Sequence, residues 1–160
     1  MSDGFGFRVE VAHSSGSRAG VLTTPHGHVQ TPLFMPVATL ASVKGVDIGR
    51  VAETGATTLL ANTYHLHLRP GEELVSEAGG VGAFMGWSGP TLTDSGGYQV
   101  FSLAQQVKVT DHGATFRSHL DGSRVDLTPE KAVAIQELLG ADIAMQLDHV
   151  IGLPAARNDV

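Results

Sequence analysis

The sequence predicts an α/β fold, the N-terminal part of a (β/α)8 barrel preceded by a small antiparallel β-sheet. Three observations carry this expectation. Strand-like and helix-like segments recur through Leu33–Glu53, Thr57–Ala78 and Leu92–Ala104, and again from the helix at Pro129 into a strand ending at Asp148. That alternation marks parallel strands joined by crossover helices. The polar residues suited to chemistry all follow strands, at Asn62 to His65, Asp94 to Gln99 and Asp148, and parallel folds build sites on that C-terminal face. Residues 5–37 instead show short strands joined by Gly, Ser and Pro turns, the signature of an antiparallel sheet. A barrel takes roughly 250 residues, and this chain of 160 reaches Val160 straight after a strand and a loop. The expectation is one incomplete barrel domain over residues 1–160.

Taken in order, Phe5 to Ala12 alternates apolar and polar residues, as a strand does. Ser14–Ser17 is a turn, Ala19–Thr23 a second strand, and Pro25–His28 another turn. Val29–Val37 is extended, and its apolar end, Leu33–Val37, suits the first strand of the main sheet. Asp47 is placed to cap a helix over 47–53 that Gly55 stops. Thr57–Ala61 reads as a short buried strand, and Pro70–Ala78 as a helix with Pro70 in its first turn and Gly79-Gly80 at its end. Val81–Trp87 reads as a connection. Pro90–Thr93 is a strand that turns through Asp94-Ser95-Gly96-Gly97 into a helix over 98–104. Val107–Thr110, Ala114–Ser118 and Ser123–Leu127 alternate strongly around two turn signals, Asp111-His112-Gly113 and Asp121-Gly122, and predict a β-hairpin or three-stranded insertion. Thr128 as N-cap, Pro129 at N1 and Glu130 near the positive end start a helix that Gly140 stops. Its expected core face is Ala132, Val133, Ile135, Gln136, Leu138 and Leu139. Asp142–Leu147 is the last strand.

Composition narrows the classes. A hydrophobic share of 42% with 16% charged residues fits a folded domain rather than a disordered one. With no cysteine there is neither a disulfide nor a thiolate metal site within these residues. His26/His28 and His65/His67 are the close histidine pairs, but no further ligand stands at a recognisable spacing, so no metal ligand is assigned. The net charge of −6, with basic residues scattered and never in a run, argues against a broad nucleic-acid surface. Met1–Phe5 lacks a basic stretch leading into an apolar one, and no apolar run approaches a membrane span. A cytoplasmic protein with no membrane partner is expected.

The stretch from Pro90 to Phe101 concentrates the candidate chemistry. Its glycines permit positive φ and close backbone approach to a ligand. Asp94 and Asp148, at the ends of separate strands, suit either an acid/base pair or a recognition pair. An ionised carboxylate accepts two parallel hydrogen bonds, and a guanine-like edge offers two adjacent N–H donors. Tyr98 could stack on a flat base, and Ser95 and Gln99 add donors and acceptors. Each also has a plainer reading: Asp94 as a helix cap, Asp148 as a turn residue, Tyr98 as a core aromatic. On spacing alone these remain open.

Longer motifs decide among them. Asn62-Thr63-Tyr64-His65-Leu66, Leu68-Arg69-Pro70-Gly71, Phe84-Met85-Gly86-Trp87, Thr93-Asp94-Ser95-Gly96-Gly97-Tyr98-Gln99-Val100 and Phe116-Arg117-Ser118-His119-Leu120-Asp121-Gly122-Ser123 stand in order along the chain. With Thr128-Pro129-Glu130 and the strand ending at Asp148, this series resembles the bacterial queuine tRNA-ribosyltransferases, the tRNA-guanine transglycosylases. The resemblance runs from about Phe7 almost to the end of the chain.

It implies a barrel enzyme that exchanges guanine at the wobble position of tRNA for a 7-deazaguanine, the aminomethyl compound in bacteria, in queuosine biosynthesis. It further implies a covalent aspartate–ribose intermediate. By position Asp94 matches the general acid/base, Asp148 the acid that reads the base edge, and Tyr98 the stacking aromatic. Ser95, Gly96, Gly97 and Gln99 match the rest of the substrate loop. The nucleophilic aspartate of the family belongs to a later strand, and its zinc site, a cysteine cluster plus a histidine, lies beyond these residues. Zinc is therefore expected of the full-length family with no ligand in residues 1–160. The resemblance also implies a homodimer, with Thr39–Lys44 and Tyr64–Leu66 near the interface and Ala41 as a point where added charge would open it. Two rivals remain: a non-catalytic base-binding or dimerising relative, and a different barrel hydrolase using Asp94 and Asp148.

Overall fold

The computed structural model describes residues 4–152 and 154–157. Met1–Asp3, Leu153 and Asn158–Val160 lie outside the described residues, and with them parts of the readings made at the two ends of the chain.

Three three-stranded sheets and six helices are described. The first sheet is antiparallel: β1 (Gly6–Ala12), β2 (Arg18–Thr24) and β3 (Gly27–Thr31), in that order. All residues of the edge strand β1 are exposed, and the apolar Phe7, Val9 and Val11 are only partly covered. α1 (Ile48–Glu53) starts where Asp47 accepts a hydrogen bond from Gly49 N at 2.8 Å, and Gly55 at φ +85° follows its end.

The second sheet is parallel and holds the C-terminal strand ends together. β4 (Leu59–Ala61) pairs with β5 (Thr91–Thr93), which pairs with β9 (Ile143–Ala144). Leu33–Val37, expected as a first main strand, contributes one parallel bridge, Val37 to Leu60. Between these strands lie α2 (Thr63–Leu68), α3 (Glu72–Glu77), α4 (Gly80–Met85) and α5 (Gly97–Leu103). The third sheet, β6 (Gln105–Thr110), β7 (Gly113–Arg117) and β8 (Arg124–Leu127), is the antiparallel insertion that the alternation predicted. α6 (Pro129–Leu139) begins as expected, with Thr128 Oγ1 accepting from Lys131 N, and ends at Gly140 in the left-handed region.

Several elements differ from the sequence reading. Asn62–His65, read only as polar residues after a strand, opens a helix. Its start carries no side-chain cap, because the Asn62 amide is engaged elsewhere. Val81–Trp87, read as a connection, is largely α4. Glycine is a poor helix former, but Gly80 lets α4 meet the end of α6: a Cβ there would lie 3.2 Å from Leu139 O. Pro70 precedes α3 rather than lying in its first turn. On α6 the buried face is Ala132, Ile135, Gln136 and Leu139, while Val133 and Leu138 are exposed. The last strand, Ile143–Ala144, is shorter than Asp142–Leu147, and just past it the Met145 N–H is shared between the Thr93 carbonyl and the Gln136 side chain.

That glutamine is buried and fully paired. Its Oε1 accepts from Thr93 Oγ1 at 2.9 Å and Met145 N at 2.8 Å, and its Nε2 donates to Ala132 O and Met145 O. A buried polar group is stable only when satisfied in this way. The core around it joins Ala61, Tyr64, Leu66, Val75, Val81, Val100, Phe116, Leu127, Ile135 and Leu139 from both faces of the site-bearing layer. Among the described residues no helix is long and apolar enough to cross a membrane.

Asp142 fastens the N-terminal sheet to the parallel one. Its side chain is fully buried. It accepts from Thr91 N at 2.9 Å, and from His26 N and Nδ1 in the β2–β3 turn at 3.3 and 2.9 Å. Asp142→Ala should cost about 1–3 kcal/mol, since it strands a buried N–H donor. His26→Ala should cost less, because the His26 ring is half-exposed and water replaces it. Urea unfolding of the two variants checks this; an equal or reversed order would show that Asp142 is not the clasp.

Candidate active site

Strand register sets the site. Ala61, Thr93 and Ala144 lie side by side at the ends of β4, β5 and β9, so the residues that follow them emerge at one edge of the sheet. Asp94 follows β5. Its Oδ2 accepts from the side-chain amides of Asn62 and Gln99, the latter at 3.0 Å, and its Oδ1 accepts from Thr63 N at 2.9 Å. Thr63 Oγ1 also donates to the Asp94 carbonyl at 2.5 Å. Asn62 and Thr63 thus serve a purpose that their position after a strand only hinted at: they hold Asp94 still.

Asp148 meets the same loop from the other side. Ser95 Oγ donates to Asp148 Oδ1 at 2.5 Å and accepts from Gly97 N at 3.2 Å. Gly97 is glycine because a Cβ there would overlap both the Asp148 carbonyl oxygen and its carboxylate. Gly96 has φ +86°, and its Cα faces Tyr64, whose Cβ would lie 3.3 Å from an added methyl. The two glycines therefore let the loop press down on α2 and sideways on Asp148.

Asp94, Ser95, Gly96, Tyr98, Gln99 and Asp148 line one cavity of about 320 Å³, together with Met145 and Gln146. That volume falls within the range of about 300–1,000 Å³ usual for small-molecule sites. Gly97 faces the neighbouring cleft instead, beside Val100 and Val107. Tyr98 is 61% exposed, which removes its reading as a core aromatic. Asp148 is exposed as well. Gln99 Oε1 is buried without a hydrogen-bond partner among the described residues, so one acceptor stands ready beside the cavity. Met145 and Gln146 were not singled out from the sequence, because they fall within an expected strand.

Tyr64 supports the loop from below. It is buried, and its hydroxyl lies 2.9 Å from His119 Nδ1 in the β7–β8 turn. The rings of Tyr64 and His119 stack at 5.6 Å, and His65 packs edge-on against both. Burial raises the Tyr64 phenol above its ordinary value, opposed by a hydrogen bond from the His119 backbone. Burial holds the His65 imidazole below its ordinary value; the charge of His119 acts in the same direction and that of Asp94 against it. The other histidines of the close pairs are used locally: His26 on Asp142, His28 near Thr23, and His67 2.7 Å from Glu72.

The family profile described as queuine tRNA-ribosyltransferase matches residues 13–160. The chain belongs to the queuine tRNA-ribosyltransferase family. It is 54% identical over 158 residues to the queuine tRNA-ribosyltransferase of Prochlorococcus marinus (strain MIT 9303), covering 98% of this chain and 42% of that protein. It is 55% identical over 157 residues to that of Synechococcus sp. (strain CC9311), with the same shares covered. It is 59% identical over 143 residues to that of Desulforudis audaxviator (strain MP104C), covering 89% of this chain and 38% of that protein. The chain thus spans about two fifths of the length of the curated queuine tRNA-ribosyltransferases it matches.

The residues present do not fit the zinc that the resemblance implies for this family. The chain has no cysteine, and among the described residues no three His, Asp or Glu side chains group as metal ligands.

The close fit at Gly97 gives a test of this geometry. Gly97→Ala should push Asp148 away and break its bond to Ser95, at an overpacking cost of about 1–3 kcal/mol. Gly6→Ala, where an added Cβ meets nothing closer than 3.9 Å, should be nearly neutral. Thermal melts and a crystal structure of each variant check this; a neutral Gly97→Ala with Asp148 in place would refute the packing argument.

Proposed function

We propose that this chain carries the base-binding and proton-transfer half of a tRNA-guanine transglycosylase. In this reading the whole protein exchanges guanine at the wobble position of tRNA for a 7-deazaguanine on the route to queuosine. The observation that carries it is one cavity flanked by two carboxylates, Asp94 and Asp148, with the exposed Tyr98 ring at its wall. A purine-like base needs that set: a carboxylate for two adjacent N–H donors, a flat ring to stack on, and a second carboxylate for a proton.

Asp148 is the reader. Its Oδ1 is oriented by Ser95, which leaves the carboxylate facing the cavity as a bidentate acceptor. Tyr98 covers the base. Asp94 is the general acid/base. Guanine leaves as its glycosidic bond breaks and takes up a proton; the incoming base gives one up as the new bond forms. Asp94 can donate the first and accept the second once an oxygen turns from Asn62 or Gln99 into the cavity. The carboxylate that bonds to the ribose carbon as guanine departs is placed beyond residue 160. The strands β4, β5 and β9, parallel and adjacent in chain order, support the reading of a (β/α)8 barrel that continues past them.

The same reading makes the full-length protein a cytoplasmic homodimer with a zinc site in its remaining length. At the expected interface segment Thr39–Lys44, Ala41 is buried in the core and Leu40 is exposed. Charge at Ala41 would unfold the chain rather than probe a dimer, so Leu40 is the position to vary.

The test uses a full-length chimera in which residues 1–160 replace the matching part of the Synechococcus relative. Asp148→Asn should weaken guanine binding by about 1–3 kcal/mol, because one acceptor becomes a donor facing the ligand's own N–H. Asp94→Asn should leave guanine affinity within a few-fold and abolish incorporation of radiolabelled guanine into tRNA. Calorimetry and the incorporation assay read the two effects. Release of guanine without incorporation of a new base would favour a hydrolase instead.

A further inference from the structure

We infer that the outer face of the β6–β8 sheet is a docking surface for the phosphodiester backbone of RNA. The inference rests on the tRNA reading above but concerns a surface outside the base cavity. Basic residues scattered in sequence at 108, 117 and 124 are gathered there by register. Lys108 is paired across β6–β7 with Thr115, and Arg117 across β7–β8 with Arg124. Cross-strand partners, and residues two apart, share one face. Lys108, Arg117 and Arg124 therefore point the same way. The opposite face sends Phe116, Val125 and Leu127 into the core.

The three cations line one cleft of about 370 Å³ with Gln106, Thr110 and Thr115. Its polar side chains suit an anion's oxygens, and the whole chain around it is acidic, at −6. The arrangement carries two costs, the first only partly offset by the pairing of Asp126 with Arg124. Like charges set directly opposite on neighbouring strands, as Arg117 and Arg124 are, destabilise a sheet. Gln106, at the irregularity between Gln105 and Lys108, takes φ +51°, a left-handed conformation that non-glycine residues seldom adopt. An anion held between the arginines offsets the first cost, and the kink at Gln106 aims its side chain into the same cleft.

The acids on this face do not cancel the charge. Asp126 pairs with Arg124 at 3.2 Å and accepts from Thr115 Oγ1 at 2.6 Å. Arg117 donates only to the Gly122 carbonyl, and Lys108 has no hydrogen-bond or ion-pair partner among the described residues. Arg124 is 66% exposed on its side chain, and Lys108 and Arg117 are exposed too. Three exposed cations against one paired acid leave this face positive on an otherwise acidic chain, the charge that the RNA of the tRNA reading complements. The turn that joins Arg117 to Arg124 carries His119, which touches Tyr64 under the Asp94 loop.

The test measures binding of a tRNA transcript and of free guanine to the full-length chimera at a series of salt concentrations. The variants are Lys108→Gln/Arg117→Gln/Arg124→Gln and the charge-keeping Arg117→Lys/Arg124→Lys. Each lost phosphate contact lowers the slope of log affinity against log salt by about 0.7–0.9. The triple variant should therefore lose a slope of about 2–3 and bind tRNA on the order of 100-fold more weakly at 0.1 M salt. The charge-keeping variant should retain the slope, and guanine affinity should not move in either. Since all three residues are exposed, the charge-keeping variant should melt like the parent and the triple variant, freed of the Arg117–Arg124 repulsion, no lower than the parent. An unchanged slope in the triple variant overturns this inference alone. A parent that binds guanine but no tRNA overturns it too, and a parent that binds neither overturns the functional reading with it. Displacement of tRNA by polyglutamate of matched charge would show a surface open to any polyanion and would also refute it.

Discussion

The buried amide of Gln136 is the contact on which the rest of the arrangement depends. It binds α6 to β5 through Thr93 and to the end of β9 through Met145, and it leaves none of its own polar atoms unpaired. Those bonds fix where β5 and β9 stop relative to each other. A shift in that register would carry Asp94 and Asp148 out of line. The low dielectric of the interior makes such a network costly to break and hence specific. The catalytic candidates sit on the surface, but their spacing is decided one layer below it.

Two glycines convert that spacing into a site. Gly97 admits Asp148 to the loop, and Gly96 lets the loop rest on Tyr64. Tyr64 in turn receives His119 from the β6–β8 insertion. The insertion is thus more than a decoration on an α/β layer, since one of its turns packs on Tyr64 beneath the Asp94 loop while its outer face collects three cations. A substitution in that turn acts on the site through Tyr64, at a distance from any substrate.

Much of this was legible in the sequence, and the failures have physical causes. Thr128-Pro129-Glu130 and Asp47 announced helix starts because their side chains have no competing partner, and the turn signals around β7 placed the insertion strands. Asn62 misled for the opposite reason: its side chain serves Asp94, so α2 begins without the cap that would mark it. α4 was hidden because Gly80 serves close approach to the end of α6 at the expense of helix propensity. Val133 and Leu138 looked like core by composition, yet they face away from the described layers. For the site, the strand-end rule together with the motifs drew attention to the loop residues and Asp148. Neither could reveal that Asn62, Thr63 and Gln99 converge on one carboxylate, because those contacts join segments far apart in the chain. Likewise, charge counting along the chain missed the Lys108, Arg117 and Arg124 face, which exists only in the register of three strands.

The Asp94 loop and Asp148 are proposed to form one base-binding cavity, with Asp148 as reader and Tyr98 as cover. A crystal structure of the full-length chimera with guanine bound tests it most directly. The expected result is the base lying against the Tyr98 ring, two of its N–H groups on the Asp148 carboxylate, and Asp94 within hydrogen-bond reach of the imidazole side of the base. A base bound elsewhere, or one in the cavity with Asp148 turned away from it, would contradict the account.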